Sequence, residues 1–224
     1  MKALLRTLLV GLIEPVVFGS ILFLTAGTFD YWQAWVFLAV FAASTWIPGT
    51  YLMRTNPDAL QRRMRAGPTA ETRAKQKILI AGWYLSLASV LVVSALDHRF
   101  GWSRVPPAIS LMGDVMVAAA LGLVMLVVIQ NSYAAATVRV EQGQQLASTG
   151  LYRLVRHPMY TANLILTLGI ALALGSYWGM LVVLPAFIVM ALRIRDEEKL
   201  LTEELNGYLE YTQHVRHRLV PLIW

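Results

Sequence analysis

Of the chain's 224 residues, 57% are hydrophobic and only 14% charged, against about 25% charged in a typical soluble domain, which excludes an ordinary water-soluble fold. Lys and Arg total 19 against 13 Asp and Glu, for a net charge of +6, and the positions of the basic residues decide what that charge means. With no cysteine, disulfides, thiolate metal sites and a catalytic thiol are excluded, so any chemistry must come from His, Arg, Glu, Tyr and backbone groups.

A bilayer core about 30 Å thick requires roughly 20 mostly apolar residues per helical crossing. Six stretches are read as spans: 3–26, 31–53, 78–96, 109–130, 160–174 and 178–192. The first follows Lys2 and Arg6 like a secretory leader, but its apolar region is too long for one, so it is read as a crossing. Within it, Glu14 beside Pro15 is an intramembrane carboxylate. Such a group is a functional candidate, here for an acceptor tunnel, or a protonated packing group beside a proline kink.

Between the second and third spans lies a basic loop, 54–77, with turn signals at Asn56-Pro57 and Gly67-Pro68. It is expected to rest on lipid headgroups. The segment 97–107 carries Trp102 and Pro106-Pro107 and reads as an interfacial anchor. Asp114 and Asn163 read as packing groups within spans.

If the N-terminus is cytoplasmic, 17 of the 19 basic residues fall in inner segments, and only Arg99 and Arg104 lie outside. Cytoplasmic segments near spans are enriched in Lys and Arg. The charge therefore reads as topology and anionic-lipid contact, with both termini cytoplasmic and no nucleic-acid partner. The expected fold is all-α, a polytopic membrane bundle. Residues 1–130 form its first four spans, and 131–224 a polar region with a short C-terminal helical hairpin and a cytoplasmic pocket. Oligomeric state is unreadable.

In that second region titratable residues cluster on both sides of the hairpin. Before it stands Gly150-Leu-Tyr-Arg-Leu-Val-Arg-His-Pro-Met-Tyr160. Pro158 is tolerated in a first helical turn, whose free N–H groups favour anionic ligand groups. Arg153 and Arg156 could equally be topological anchors, and Tyr152 and Tyr160 interfacial aromatics. After the hairpin stands Arg193-Ile-Arg-Asp-Glu-Glu198, with Leu201, Tyr208 and Tyr211 beyond. Positions 193 and 197 share one helix face. Because both clusters flank one hairpin, they are expected to emerge together and share a pocket. His214-x-x-His217 has helical metal spacing but no evident third ligand, so no metal is expected.

Gly-x-Tyr-x-x-x-Arg-His-Pro-x-Tyr, a helical hairpin, Arg-x-x-x-Glu-Glu-x-x-Leu and Tyr-x-x-Tyr together resemble the isoprenylcysteine carboxyl methyltransferase family and its phospholipid methyltransferase relatives, over about residues 130–224. The resemblance implies a membrane enzyme that holds S-adenosylmethionine in a cytoplasmic pocket and releases S-adenosylhomocysteine. No Rossmann domain is required, in keeping with the lack of its Gly-rich signature. Carried over by motif position, the cofactor would contact Gln144, Gln145, Leu146, Ala147, Tyr152, His157, Pro158, Met159, Tyr160 and Glu197. Arg193 would act in catalysis by gripping the acceptor.

Gln144 stands where the family often has His, and Ala162 where a Gly usually follows the motif. The acceptor would be lipophilic or small: an isoprenylcysteine carboxylate, a phospholipid amine, another lipid or a thiol. Membrane sterol reductases, which use a nicotinamide cofactor, resemble the same region, so an NADPH-dependent reductase is an alternative. A non-catalytic scaffold or transporter is another.

Overall fold

The computed structural model describes residues 2–64, 69–134, 137–140, 142–221 and 224, with side chains from residue 13 onward. The turn expected at Gly67-Pro68 lies outside these residues. Among the described residues every regular element is helical: α1 (Lys2–Ala26), α2 (Trp32–Thr55), α3 (Pro57–Met64), α4 (Ala74–Phe100), α5 (Pro107–Gln130), α6 (Pro158–Ala173), α7 (Val183–Glu204) and α8 (Tyr208–His214). Short 3-10 turns at Gly150–Arg153 and Gly179–Val182 precede α6 and α7.

Local chemistry accounts for the boundaries. Pro107 and Pro158 open α5 and α6, where a missing N–H costs nothing and the fixed φ suits a first helical turn. Helix α4 stops at Gly101, whose φ of 66° is left-handed. Helices α2, α4 and α5 are each long and apolar enough to cross a membrane, and the protein is an integral membrane protein. The 16 residues of α6 rise only about 24 Å at 1.5 Å per residue, so the hairpin is short, as its spacing predicts.

The main core gathers Leu22, Phe37, Phe41, Leu91 and Ile170 from α1, α2, α4 and α6. Helices α5 and α6 press together at Gly113, where a Cβ would collide with the backbone of Leu172 and Ala173. Small residues at such a crossing let backbones approach. Ala162 is fully buried, so its extra methyl is absorbed by packing.

At the hairpin tip, Asp97 accepts hydrogen bonds from Ser103 N and Oγ, both at 2.6 Å, and from Ser176 Oγ at 2.5 Å. The Tyr31 hydroxyl donates to Leu174 O at 2.7 Å. These bonds tie α2 and α4 to the hairpin and set the height at which α6 and α7 deliver their polar ends.

The basic loop differs from the expectation of a segment resting on headgroups. A third of it is α3, and its end folds inward: Glu71 and Gln76 are 3% and 0% exposed. The physical reason is a buried cation on α7, Arg193, which needs their oxygens.

Candidate functional site

Three chain segments meet at the start of α6. Gly150, with φ +60°, begins the 3-10 turn, and a Cβ there would run into the Gln130 carboxamide. The same carboxamide accepts from Leu151 N at 2.9 Å. His157 caps α6. The C-terminal segment then runs alongside: Arg156 N donates to His217 O and His157 N to Arg218 O, both at 2.9 Å. Thr161 Oγ1 donates to Leu219 O at 2.7 Å.

Helix α7 supplies two adjacent carboxylates with different tasks. Glu198 faces the chain crossing, 3.3 Å from His157 Nε2 and from Arg156 Nε, and 2.9 and 2.8 Å from Arg218 Nε and Nη2. Burial opposes its ionisation, but the hydrogen bonds from His157 and Arg218 and the nearby charges outweigh that and hold its pKa down to about 2. Glu197 turns instead toward Tyr160, whose hydroxyl donates to Oε2 at 2.5 Å.

The same Tyr160 oxygen accepts from Arg193 Nε at 3.0 Å. Arg193 Nη1 donates to Gln76 Oε1 and Nη2 to Glu71 Oε1, both at 2.8 Å. Glu71 also accepts from Val138 N. Gln76 donates to Asp196 Oδ2 at 2.6 Å, and Arg73 and Lys75 complete the surroundings of Asp196 at 3.1 and 3.4 Å. Despite the cost of burial, the Gln76 hydrogen bond and these cations keep the Asp196 carboxyl below its usual range. A chain of charge-assisted bonds thus runs from the loop through Arg193 and Tyr160 to Glu197.

Between these walls lies a cleft of about 800 Å³, counting space open to solvent. Gln144, Gln145, Leu146, Ala147, Tyr152, His157, Pro158, Met159, Tyr160 and Glu197 all line it. Two predicted residues do not. Arg193, 2% exposed, sits behind Tyr160 with its guanidinium turned to Glu71 and Gln76. Glu14 lies on an exposed face of α1.

Helix α8 borders the cleft: its Tyr208 and Tyr211, with Leu205 before it and Val215 after it, pack against Val140 and Leu146. The Tyr211 hydroxyl donates to Tyr152 O at 2.6 Å, and Asn131 Nδ2 donates to the Tyr152 hydroxyl at 3.1 Å. Burial first, then the nearby Glu197 charge, push Tyr152 up to about 12 against the Asn131 hydrogen bond. Tyr208 is raised by burial and by Glu198 and Glu197. Both phenols therefore act as neutral hydrogen-bonding groups near pH 7.

Sequence reasoning missed Thr137, whose hydroxyl lines the cleft, and Glu71 and Gln76, which hold Arg193. Thr137 stands in no motif. Glu71 was legible only as an acid in a basic loop. His214 faces away, its Nδ1 paired with Glu210 O at 3.0 Å.

A family model for phospholipid methyltransferases matches residues 109–207. Over 95 residues the chain is 33% identical to a delta(14)-sterol reductase of Mus musculus, an alignment covering 39% of this chain and 22% of that protein. The chain thus spans about a fifth of that relative's length. The family match covers α5, the cleft-forming segment, the hairpin and α7. The matched family belongs to the membrane methyltransferase group that includes the isoprenylcysteine carboxyl methyltransferase-like proteins, and residues 109–207 of this chain are similar to it.

Proposed function

We propose that this protein is an integral membrane S-adenosylmethionine-dependent methyltransferase acting on a lipophilic acceptor, such as an isoprenylcysteine carboxylate; a phospholipid or a small thiol is the alternative acceptor. The observation that carries the reading is the convergence of the His157–Tyr160 run and Glu197 on one cleft inside the family-matched stretch.

The cleft's donor set fits such a cofactor. Among the described residues, Thr137 Oγ1 and the Tyr208 hydroxyl are buried at its wall without a hydrogen-bond partner, and buried polar groups are normally satisfied. A ligand bearing ribose hydroxyls, an amino-acid head and an adenine offers partners for both. Glu197 would take the ammonium or the ribose hydroxyls, while Tyr152 and His157 supply aromatic surface and Gln144 and Gln145 amide contacts. The chemistry such a cofactor supplies when bound is a methyl group already activated on a sulfonium.

The protein's own work is then positioning and charge management. Tyr160 fixes the Glu197 carboxylate, and Arg193 fixes Tyr160, so Arg193 acts as a positioning residue from its place behind the wall. Glu198 orients His157. Leu146 and Met159 narrow the cleft and limit water.

Six crossings with both termini cytoplasmic fit the three long apolar helices, α1, the hairpin and the distribution of basic residues. A lateral approach of the acceptor through the bilayer explains why such an enzyme is membrane-embedded.

The partial identity to a sterol reductase favours one second reading, an NADPH-dependent reductase using the same cleft. Calorimetric titration of the detergent-purified protein with S-adenosylhomocysteine and with NADPH separates the two. Binding of the first alone supports the methyltransferase, and binding of the second alone overturns it. Incubating membranes with radiolabelled methyl donor then identifies the acceptor.

A further inference from the structure

Helix α3 brings two consecutive arginines to the edge of the cleft. Ala59 is buried with Leu52 and Val128, and Met159 packs against this cluster, which seats α3 against the start of α6. Arg62 lies 4.8 Å over the Tyr133 ring and donates to Ser132 O at 3.3 Å. Arg63 is served differently: among the described residues its Nη1 meets only the thioether of Met159, at 3.3 Å. A thioether is a weak acceptor, and a guanidinium carries five donors in a planar fork.

The surroundings of Arg63 are polar on surfaces that are otherwise apolar. Glu14 of α1, Tyr84 of α4 and Tyr160 of α6 all lie within its electrostatic reach. Glu14 is exposed and Tyr84 is 43% exposed, although each sits in a long apolar helix, where polar side chains are costly and mark ligand pathways. Among the described residues no ion pair joins Glu14 to Arg63. Exposed Ile13 and Val17 flank Glu14, and exposed Leu85 follows Tyr84, so an apolar chain could lie beside the polar groups. Met159 belongs both to this corner and to the lining of the cleft.

We propose that Arg63 is an anion site for the acceptor: it grips a phosphate or carboxylate of an amphiphile that enters beside α1 and α4, and holds it one side chain away from the cofactor cleft. A bidentate grip on either group matches the guanidinium fork. Any neutral or cationic part of the headgroup then faces Glu14. The identification of the ligand as acceptor rests on the methyltransferase reading; the anion site itself does not.

The test titrates the full chain in detergent with dioctanoyl phosphatidic acid, dioctanoylglycerol, inorganic phosphate and S-adenosylhomocysteine. Arg63→Gln should weaken phosphatidic acid binding by about tenfold or more, and Arg63→Lys by about threefold. Arg153→Gln, which removes an exposed charge elsewhere, should leave that binding unchanged, as should all three variants for S-adenosylhomocysteine. Unchanged phosphatidic acid affinity in Arg63→Gln overturns the site, as does equal binding of dioctanoylglycerol or an equal loss in Arg153→Gln. Inorganic phosphate competing at the lipid's own concentration overturns the amphiphile in favour of a free anion. If Arg63→Gln fails to elute as a single species, Arg63→Lys carries the test, and wild-type affinity in it overturns the site. Phosphatidic acid binding through Arg63 without S-adenosylhomocysteine binding overturns the methyltransferase reading and leaves the anion site standing.

Discussion

Glu71 and Arg193, 122 residues apart in sequence, form a buried ion pair at 2.8 Å. The pair pins the end of the basic loop to α7 just behind the cleft. Removing one partner of such a pair strands a buried charge, which costs about 3–5 kcal/mol. Glu71→Ala should therefore lower the unfolding midpoint in detergent markedly. Arg193→Lys should weaken S-adenosylhomocysteine binding through loss of the Tyr160 contact; wild-type affinity in it would remove Arg193 from the positioning chain.

Tyr160 links that pair to Glu197. Losing a hydrogen bond to a charged group costs about 1.5–3 kcal/mol, so Tyr160→Phe should weaken S-adenosylhomocysteine binding by roughly 10- to 100-fold. Glu197→Ala should do at least as much, with expression and helix content intact by circular dichroism. Calorimetry that finds either variant unchanged would count against Glu197 as the cofactor's partner.

Glu198 makes stability depend on acid. Its folded pKa of about 2 lies below the ordinary 4.5, so the folded state binds fewer protons than the unfolded one in this range. The stabilisation is complete above about pH 4.5 and is lost as the pH falls toward 2. The wild-type unfolding midpoint should drop along that limb. In Glu198→Gln the limb should flatten and the midpoint at pH 7 should already be low.

Gly113 tests the helix crossing. A Cβ there would meet the backbone of Ala173 and Leu172, and backbone cannot step aside as a flexible side chain can. Gly113→Ala should force α5 from α6 and lower the unfolding midpoint more than Gly122→Ala, whose Cβ would meet open space.

Topology is open to a direct assay because the chain has no native cysteine. Single cysteines at the exposed positions Arg104 and Ser148 should be labelled by an impermeant maleimide from opposite sides of a sealed vesicle. Labelling from one side would overturn the six-crossing arrangement.

Much of the architecture was readable along the chain. Apolar length marked the long helices α2, α4 and α5, and the proline at 158 marked one helix start, because both signals depend on the chain's own neighbours. The motif around His157 and the Arg193–Glu198 run pointed to one cleft because only a short hairpin separates them. Sequence could not say which of two adjacent carboxylates faces the cleft. A helix turns about 100° per residue, so Glu197 and Glu198 look in different directions, and packing against Tyr160 and Arg218 decided the matter.

Nor could it give Arg193 its partners. Burial of that guanidinium behind Tyr160 demanded oxygen acceptors, and the fold drew them from Glu71 and Gln76 in a loop that composition marked only as basic. Local spacing determined the helices and the motif-bearing walls of the site; long-range charge pairing, which depends on how those helices pack, decided which groups face the cleft and which hold it in shape.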